Sequence, residues 1–161
     1  MKLIKLIISN FRGLKGSNVI DFTNSNIIFL IGQNNIGKSS FLRAYEFFID
    51  PKQIAKTDDF NNYDYSTPIV IEGIFELDEE ESDDPDLKEK KEPNWIEKWV
   101  DENGFVKIRK TWSKPDSTFA KETYSPHDAS WIENGFGGLH TKLTKYTPTP
   151  IAINAMEDQA S

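Results

Sequence analysis

The sequence predicts an α/β fold, on three observations. A wholly apolar run, Ile27-Ile28-Phe29-Leu30-Ile31, feeds a loop with glycines at 32 and 37 and then an apolar series at helical spacing. Stretches 2–8, 69–77 and 104–112 alternate apolar and polar residues, as half-buried antiparallel strands do. Between the last two lies a segment, 78–92, too charged to bury a core.

Taken in order, residues 2–8 form a first strand and Asn10-Phe11-Arg12-Gly13 a turn. Val19-Ile20-Asp21-Phe22 reads as a second strand, antiparallel to the first. Ile27–Ile31 has no polar member, so it reads as a central strand covered on both faces. In the helix that follows, Phe41, Leu42, Tyr45, Phe48 and Ile49 define one apolar face, and Asp50-Pro51 ends it because the residue before proline is pushed out of the α region. Residues 52–66 read as a polar surface loop. In 69–77, Ile69, Ile71, Phe75 and Leu77 share one face and Glu72 and Glu76 the other, with Gly73 marking a bulge. Residues 94–100 read as a short amphipathic helix. Strand 104–112 directs Val106, Ile108 and Trp112 to one side, and 117–124 is a weaker strand, which makes a meander of two or three antiparallel strands. Residues 137–145 read as helical, and Ile151-Ala152-Ile153 as the start of another core strand.

The 161 residues suffice for one domain with one core. The apolar share of 37% is low because the acidic stretch dilutes it; eleven Phe and four Trp remain to fill a core. No apolar run approaches the length that crosses a bilayer, and residues 1–5 alternate rather than form a signal peptide. Without cysteine there is no disulfide framework and no thiolate metal site. The expectation is a cytoplasmic protein that does not enter a membrane. Residues 1–50 carry six Lys/Arg against three Asp/Glu, a net of +3, whereas residues 51–161 carry thirteen against twenty-three, a net of −10. That balance argues against DNA wrapping the whole chain.

The chemistry is concentrated in Gly32-Gln33-Asn34-Asn35-Ile36-Gly37-Lys38-Ser39-Ser40. A nucleoside triphosphate presents crowded anionic oxygens, which backbone N–H groups reach only where no side chain intervenes; Gly32 and Gly37 allow that approach. A helix starting near Lys38 directs its unpaired N–H groups and positive dipole end at the phosphates. Lys38 adds a mobile charge, the Ser39 hydroxyl is a hard ligand for Mg²⁺, and Ser40 adds a hydrogen bond on the α-phosphate side. This is a P-loop, with ATP and Mg²⁺ as expected ligands. The bland alternative is a glycine-rich turn with a solvent lysine, but the strand before it and the helix after it are the context the motif requires.

Ile7-Ile8-Ser9-Asn10-Phe11-Arg12-Gly13-Leu14, taken with Phe29 through Ala44, resembles the N-terminal half of ABC-type ATPase heads of the RecF, SMC, SbcC and OLD group, including the ATPases of Gabija-like defence systems. The resemblance is close over residues 1–50 and loose beyond, where Phe60 after Asp58-Asp59 resembles a recurring "DF". It implies an N-terminal lobe of a P-loop NTPase with an antiparallel β-subdomain. Residues 1–161 would be the N-terminal part of an ATPase domain, with 1–50 the strand–loop–helix unit and 66–126 the β-rich part carrying the charged insertion 78–92. It implies phosphate contacts by Gly32, Asn34, Asn35, Gly37, Lys38, Ser39 and Ser40, and places Arg12 near the nucleotide, where the bland reading is an arginine bracing a turn. It also offers Gln159 beside Ser39 as a metal-site residue.

Such heads further need a Ser/Gly-rich signature motif and an apolar strand ending in Asp-Glu. The sequence contains neither; Ile74 through Glu80 contains Asp-Glu but alternates. The expectation is therefore a truncated ATPase, inactive alone. Its parent would be a DNA-repair or antiviral-defence protein that forms a homodimer or homo-oligomer through its heads, with DNA as a further partner. The alternatives are a non-catalytic nucleotide-binding or oligomerisation module and a small P-loop phosphotransferase. His127 and His140 read as surface histidines, the acidic run as a solvated face, Trp95, Trp99, Trp112 and Trp131 as core or interface, and Lys107, Arg109 and Lys110 as a minor basic patch on one strand.

Overall fold

The computed structural model describes residues 2–22, 38–78 and 94–133; of Lys38 and Ser39 it describes the backbone alone. Within these residues the chain forms β1 (Lys2–Phe11), β2 (Leu14–Asp21), α1 (Lys38–Ile49), two single 3-10 turns (Thr57–Asp59 and Asn61–Tyr63), β3 (Ile69–Glu76), α2 (Trp95–Trp99), β4 (Phe105–Trp112), β5 (Ala120–Ser125) and β6 (Ser130–Glu133). The strands make one six-stranded sheet in the order β2-β1-β3-β4-β5-β6, antiparallel at every pairing.

One face of this sheet carries the core. Alternation sends Leu6 and Ile8 of β1, Ile69, Ile71 and Phe75 of β3, and Val106, Ile108 and Trp112 of β4 to the same side. Helix α1 covers them. Phe47 meets Phe11 edge-on at 4.9 Å between ring centroids and Trp112 at 5.3 Å, and Phe48 lies against Phe75 at 5.9 Å. Such aromatic pairs add about 0.5–1.5 kcal/mol each beyond the area they bury. Helix α2 buries Trp95 and Trp99 in the same core, and the Ser125 hydroxyl donates to Lys98 O at 2.9 Å. Asn94 caps α2 reciprocally: its side chain accepts from Glu97 N, and Glu97 accepts from Asn94 N.

Several expectations hold and several need correction. The strands at 2–8, 69–77 and 104–112, the short helix near 94–100 and the antiparallel pairing of the first two strands are as expected. The second strand is longer than Val19–Phe22, and the turn before it is Arg12-Gly13 alone. Of the expected face of α1, Leu42, Tyr45 and Phe48 are buried and Phe41 and Ile49 only partly covered, while Ala44 and Phe47, not assigned to that face, are fully buried. The meander has four strands; β6 is too short to carry a legible alternation. Residues 52–66 are not merely a surface loop, since Ala55, Asp59 and Phe60 are buried.

Gly73 marks no bulge: β3 pairs with β4 in unbroken register from Ile69 to Glu76. The absent side chain makes room for α1. A Cβ there would lie 2.4 Å from Phe48 Cζ. The slips fall on β1, between Leu3 and Lys5 against β3 and between Ser9 and Phe11 against β2. At the second slip Asn10 has φ 59°. Strict alternation after Leu6 and Ile8 would turn Phe11 away from the core; the irregularity turns it inward, where it is fully buried. Ile27–Ile31, 137–145 and 151–153, expected to be ordered elements, lie outside the described residues, as does nearly all of 78–92.

Candidate functional site

The described part of the site is the first turn of α1 and what packs beside it. The helix begins at Lys38, so the N–H groups of its first turn have no acceptor one turn back in the helix. No acidic residue stands in that turn, which leaves the positive end of the dipole uncompensated from within the helix. The Arg12-Gly13 turn lies next to it: a Cβ built on Gly13 would sit 3.8 Å from the Ser40 hydroxyl.

Arg12 is fixed in this turn by the segment 56–61. Its N–H donates to Asp59 O at 2.8 Å, and its carbonyl accepts from Asn61 Nδ2 at 2.5 Å. Its guanidinium donates to Asp59 Oδ1 through Nε at 3.0 Å and Nη2 at 2.8 Å. The other oxygen, Asp59 Oδ2, accepts from Lys56 N at 2.8 Å. An isolated bridge between Phe11 and Phe60 continues the attachment. Asp59 is 5% exposed, so this carboxylate is a buried acceptor that the arginine and a backbone N–H satisfy. Arg12 Nη1 has no partner among the described residues.

Of the residues expected to bind nucleotide, the structure therefore brings together Arg12, Ser40 and the helical backbone at Lys38 and Ser39. Gly32, Asn34, Asn35, Gly37 and Gln159 lie outside the described residues. Asp59, Asn61 and Gly13 were not assigned roles by sequence reasoning. The Asp-Phe pair at 59–60 was visible, but nothing in the sequence links it to a turn 47 residues earlier.

The basic patch expected on one strand does not exist as such. Lys107 and Arg109 lie on the face away from the core, while Lys110 points into the core and is 6% exposed. Adjacent positions on a strand alternate faces. Arg109 pairs with Glu122 through two hydrogen bonds, at 3.1 and 3.0 Å, and lies 4.2 Å from the centre of the Trp131 ring. Glu72, opposite Arg109 on β3, has its carboxyl pushed up by burial, against the pull of Lys107 and Arg109. Trp95, Trp99 and Trp112 are core residues, as expected. His127 is an exposed turn residue 3.1 Å from Asp128 Oδ1. Among the described residues there is no cluster of three or more His, Asp or Glu side chains arranged to hold a metal, and no helix long and apolar enough to cross a membrane.

The described geometry is thus a helix that begins at Lys38 with the Arg12-Gly13 turn against its first turn. Residues 1–136 match the AAA ATPase domain family, and the chain belongs to that family. It is also similar to the Old nuclease of Escherichia phage P2, 26% identical over 160 residues, which covers 98% of this chain and 26% of the relative. Endonuclease GajA of Bacillus cereus (strain VD045) is 37% identical over 92 residues, covering 55% of this chain and 15% of that protein. The chain thus spans about a quarter or less of the length of these curated relatives.

Proposed function

We propose that this chain is the ATP-binding N-terminal lobe of an ABC-type ATPase head of the OLD/RecF/SMC group, acting in a DNA-processing or phage-defence nuclease. The observation that carries the reading is the P-loop sequence 32–39 running into a helix that begins at Lys38, with the Arg12-Gly13 turn against its first turn. The family assignment and the two relatives, both nucleases, support it.

The described residues fit a polyphosphate. The α1 terminus offers N–H donors with no carboxylate in its own first turn, Gly13 leaves room beside Ser40, and Arg12 Nη1 has no partner among the described residues. In this reading Gly32, Asn34, Asn35 and Gly37 wrap the phosphates, Lys38 and Ser40 bond to them, and Ser39 holds Mg²⁺ with Gln159. The Mg²⁺ ion supplies charge neutralisation at the β- and γ-phosphates when bound. The lobe binds and orients the nucleotide. Turnover needs a Walker B carboxylate and a signature motif, neither of which the sequence contains, and in the assembled protein a second head supplies the latter. Residues 1–50 act as the phosphate unit and 66–126 as a β-subdomain continuous with it through the β1–β3 pairing. A homodimer, DNA as a partner and a cytoplasmic location complete the proposal.

Isothermal titration of the purified chain with Mg·ATP tests it, with Lys38→Ala as the control. The expected result is saturable binding that Lys38→Ala weakens at least tenfold, with little hydrolysis by the chain alone. No binding by the unmodified chain would overturn the proposal, and vigorous hydrolysis by the monomer would favour a self-contained enzyme. Binding indifferent to Lys38→Ala would favour a module that does not use its P-loop.

A further inference from the structure

We propose that Asp59 is a positioning residue for the nucleotide site: it holds the Arg12 guanidinium so that its unengaged edge is presented to polyphosphate at the start of α1. The proposal rests on the nucleotide-binding reading above and adds to it a residue outside the P-loop and outside the Arg12 turn.

Three observations carry it. First, the contact is directional. Asp59 Oδ1 takes both Nε and Nη2 of Arg12, which fixes one edge of a planar group and leaves Nη1 without a partner among the described residues. Second, Asp59 is itself held. Its second oxygen accepts from Lys56 N, its carbonyl accepts from Arg12 N, and it is 5% exposed, so it cannot follow the arginine if that side chain swings away. Third, the arrangement stands where it would matter. Arg12 has φ 50°, a left-handed conformation that costs a non-glycine residue free energy, and Gly13 then carries the turn against the Ser40 hydroxyl.

The buried Asp59 carboxylate needs a donor, which the 36%-exposed arginine side chain supplies, but that need alone does not set which edge of the guanidinium is left unengaged. Fixing a long side chain in advance, by contrast, removes an ordering cost from ligand binding. Asp59 in this role never touches the nucleotide; its effect passes through Arg12.

A double-mutant cycle on Mg·ATP affinity tests this in the full chain, using Arg12→Ala, Asp59→Ala and the combined variant, with Lys38→Ala as the control for the site itself and far-UV circular dichroism as the check on folding. Arg12→Ala and Asp59→Ala are each expected to weaken binding about tenfold, a 1.4 kcal/mol effect. In the Arg12→Ala background, Asp59→Ala is expected to add nothing. Asp59→Asn, which keeps an oxygen acceptor and the side-chain volume, serves in the same cycle if Asp59→Ala does not fold, with a several-fold loss expected. Equal losses from the Asp59 substitution with and without Arg12 would overturn the proposal, because Asp59 would then act on the fold and not through the arginine. Unchanged affinity in either single variant would overturn it too. Failure of the unmodified chain to bind, by contrast, would count against the nucleotide-binding reading itself.

Discussion

Lys110 shows how much one side chain's direction decides. It lies on the core face of β4, donates to Asp50 O at 3.0 Å just past the end of α1, and sits 4.2 Å from the centre of the Phe119 ring. Burial, helped by Lys121 on the neighbouring strand and opposed by Asp50, lowers its pKa from the usual 10.5 to about 8. The folded protein therefore binds this proton less tightly than the unfolded chain does. Between about pH 8 and 10.5 the unfolded state holds more protons, so stability rises with pH through that window; below it the full penalty of burying the charge is present. Urea titrations across that range are expected to show the rise in the native chain and its loss in Lys110→Met. Gly73 makes a second case. Gly73→Ala places a methyl group 2.4 Å from Phe48 Cζ, where the ring is pinned against Phe75. It is expected to destabilise by about 1–3 kcal/mol, the usual range for overpacking. Combination with Phe48→Leu should cost less than the two changes added, as measured by thermal unfolding. Thr123 is fully buried with its hydroxyl unbonded among the described residues. Replacing it by Val should raise stability by about 1 kcal/mol, because an unsatisfied buried hydroxyl is removed.

Helices α1 and α2 differ in what makes them helical. The five residues of α2 are too few to stand on propensity, and its start is fixed by the reciprocal bonds between Asn94 and Glu97. Asn94→Ala is expected to cost about 0.5–2 kcal/mol, read from the denaturant midpoint. The helix at 94–100 and the apolar spacing of α1 were legible in the sequence, whereas the reciprocal cap was not among the expectations. Which residues of α1 are buried deepest was less legible. Phe47 falls off the face that periodicity selected, yet it is enclosed by Phe11 and Trp112. Both partners come from strands, and one of them reaches the core only through an irregularity at Asn10. Periodicity assumes a uniform element, so a bulge on a neighbouring strand is invisible to it.

Across the whole molecule, the sheet joins the N-terminal hairpin to the later meander, since β1 pairs with β2 on one side and β3 on the other. The turn at Arg12-Gly13 and the segment 56–61 are thereby brought to the same end of the molecule as the start of α1. If the nucleotide site is there, Mg·ATP should stabilise the domain as a unit. At a hundredfold excess over Kd the gain is about 2.7 kcal/mol, detectable as a rise in melting temperature that Lys38→Ala abolishes.

The sequence alone carried the reading of a phosphate-binding loop, because a P-loop is a local device: the glycines, lysine and serines of the motif are contiguous, and their spacing carries the meaning. It also determined the strands whose alternation is regular and the two helices whose apolar residues recur at helical spacing. Tertiary structure alone decided that Lys110 faces inward and Arg109 outward against Glu122, that Gly73 serves a neighbouring phenylalanine and not a bulge, and that Asp59 grips Arg12. Each of these depends on which distant segment arrives opposite a residue. That is set by strand pairing and register, which propensity and spacing along a single chain do not encode.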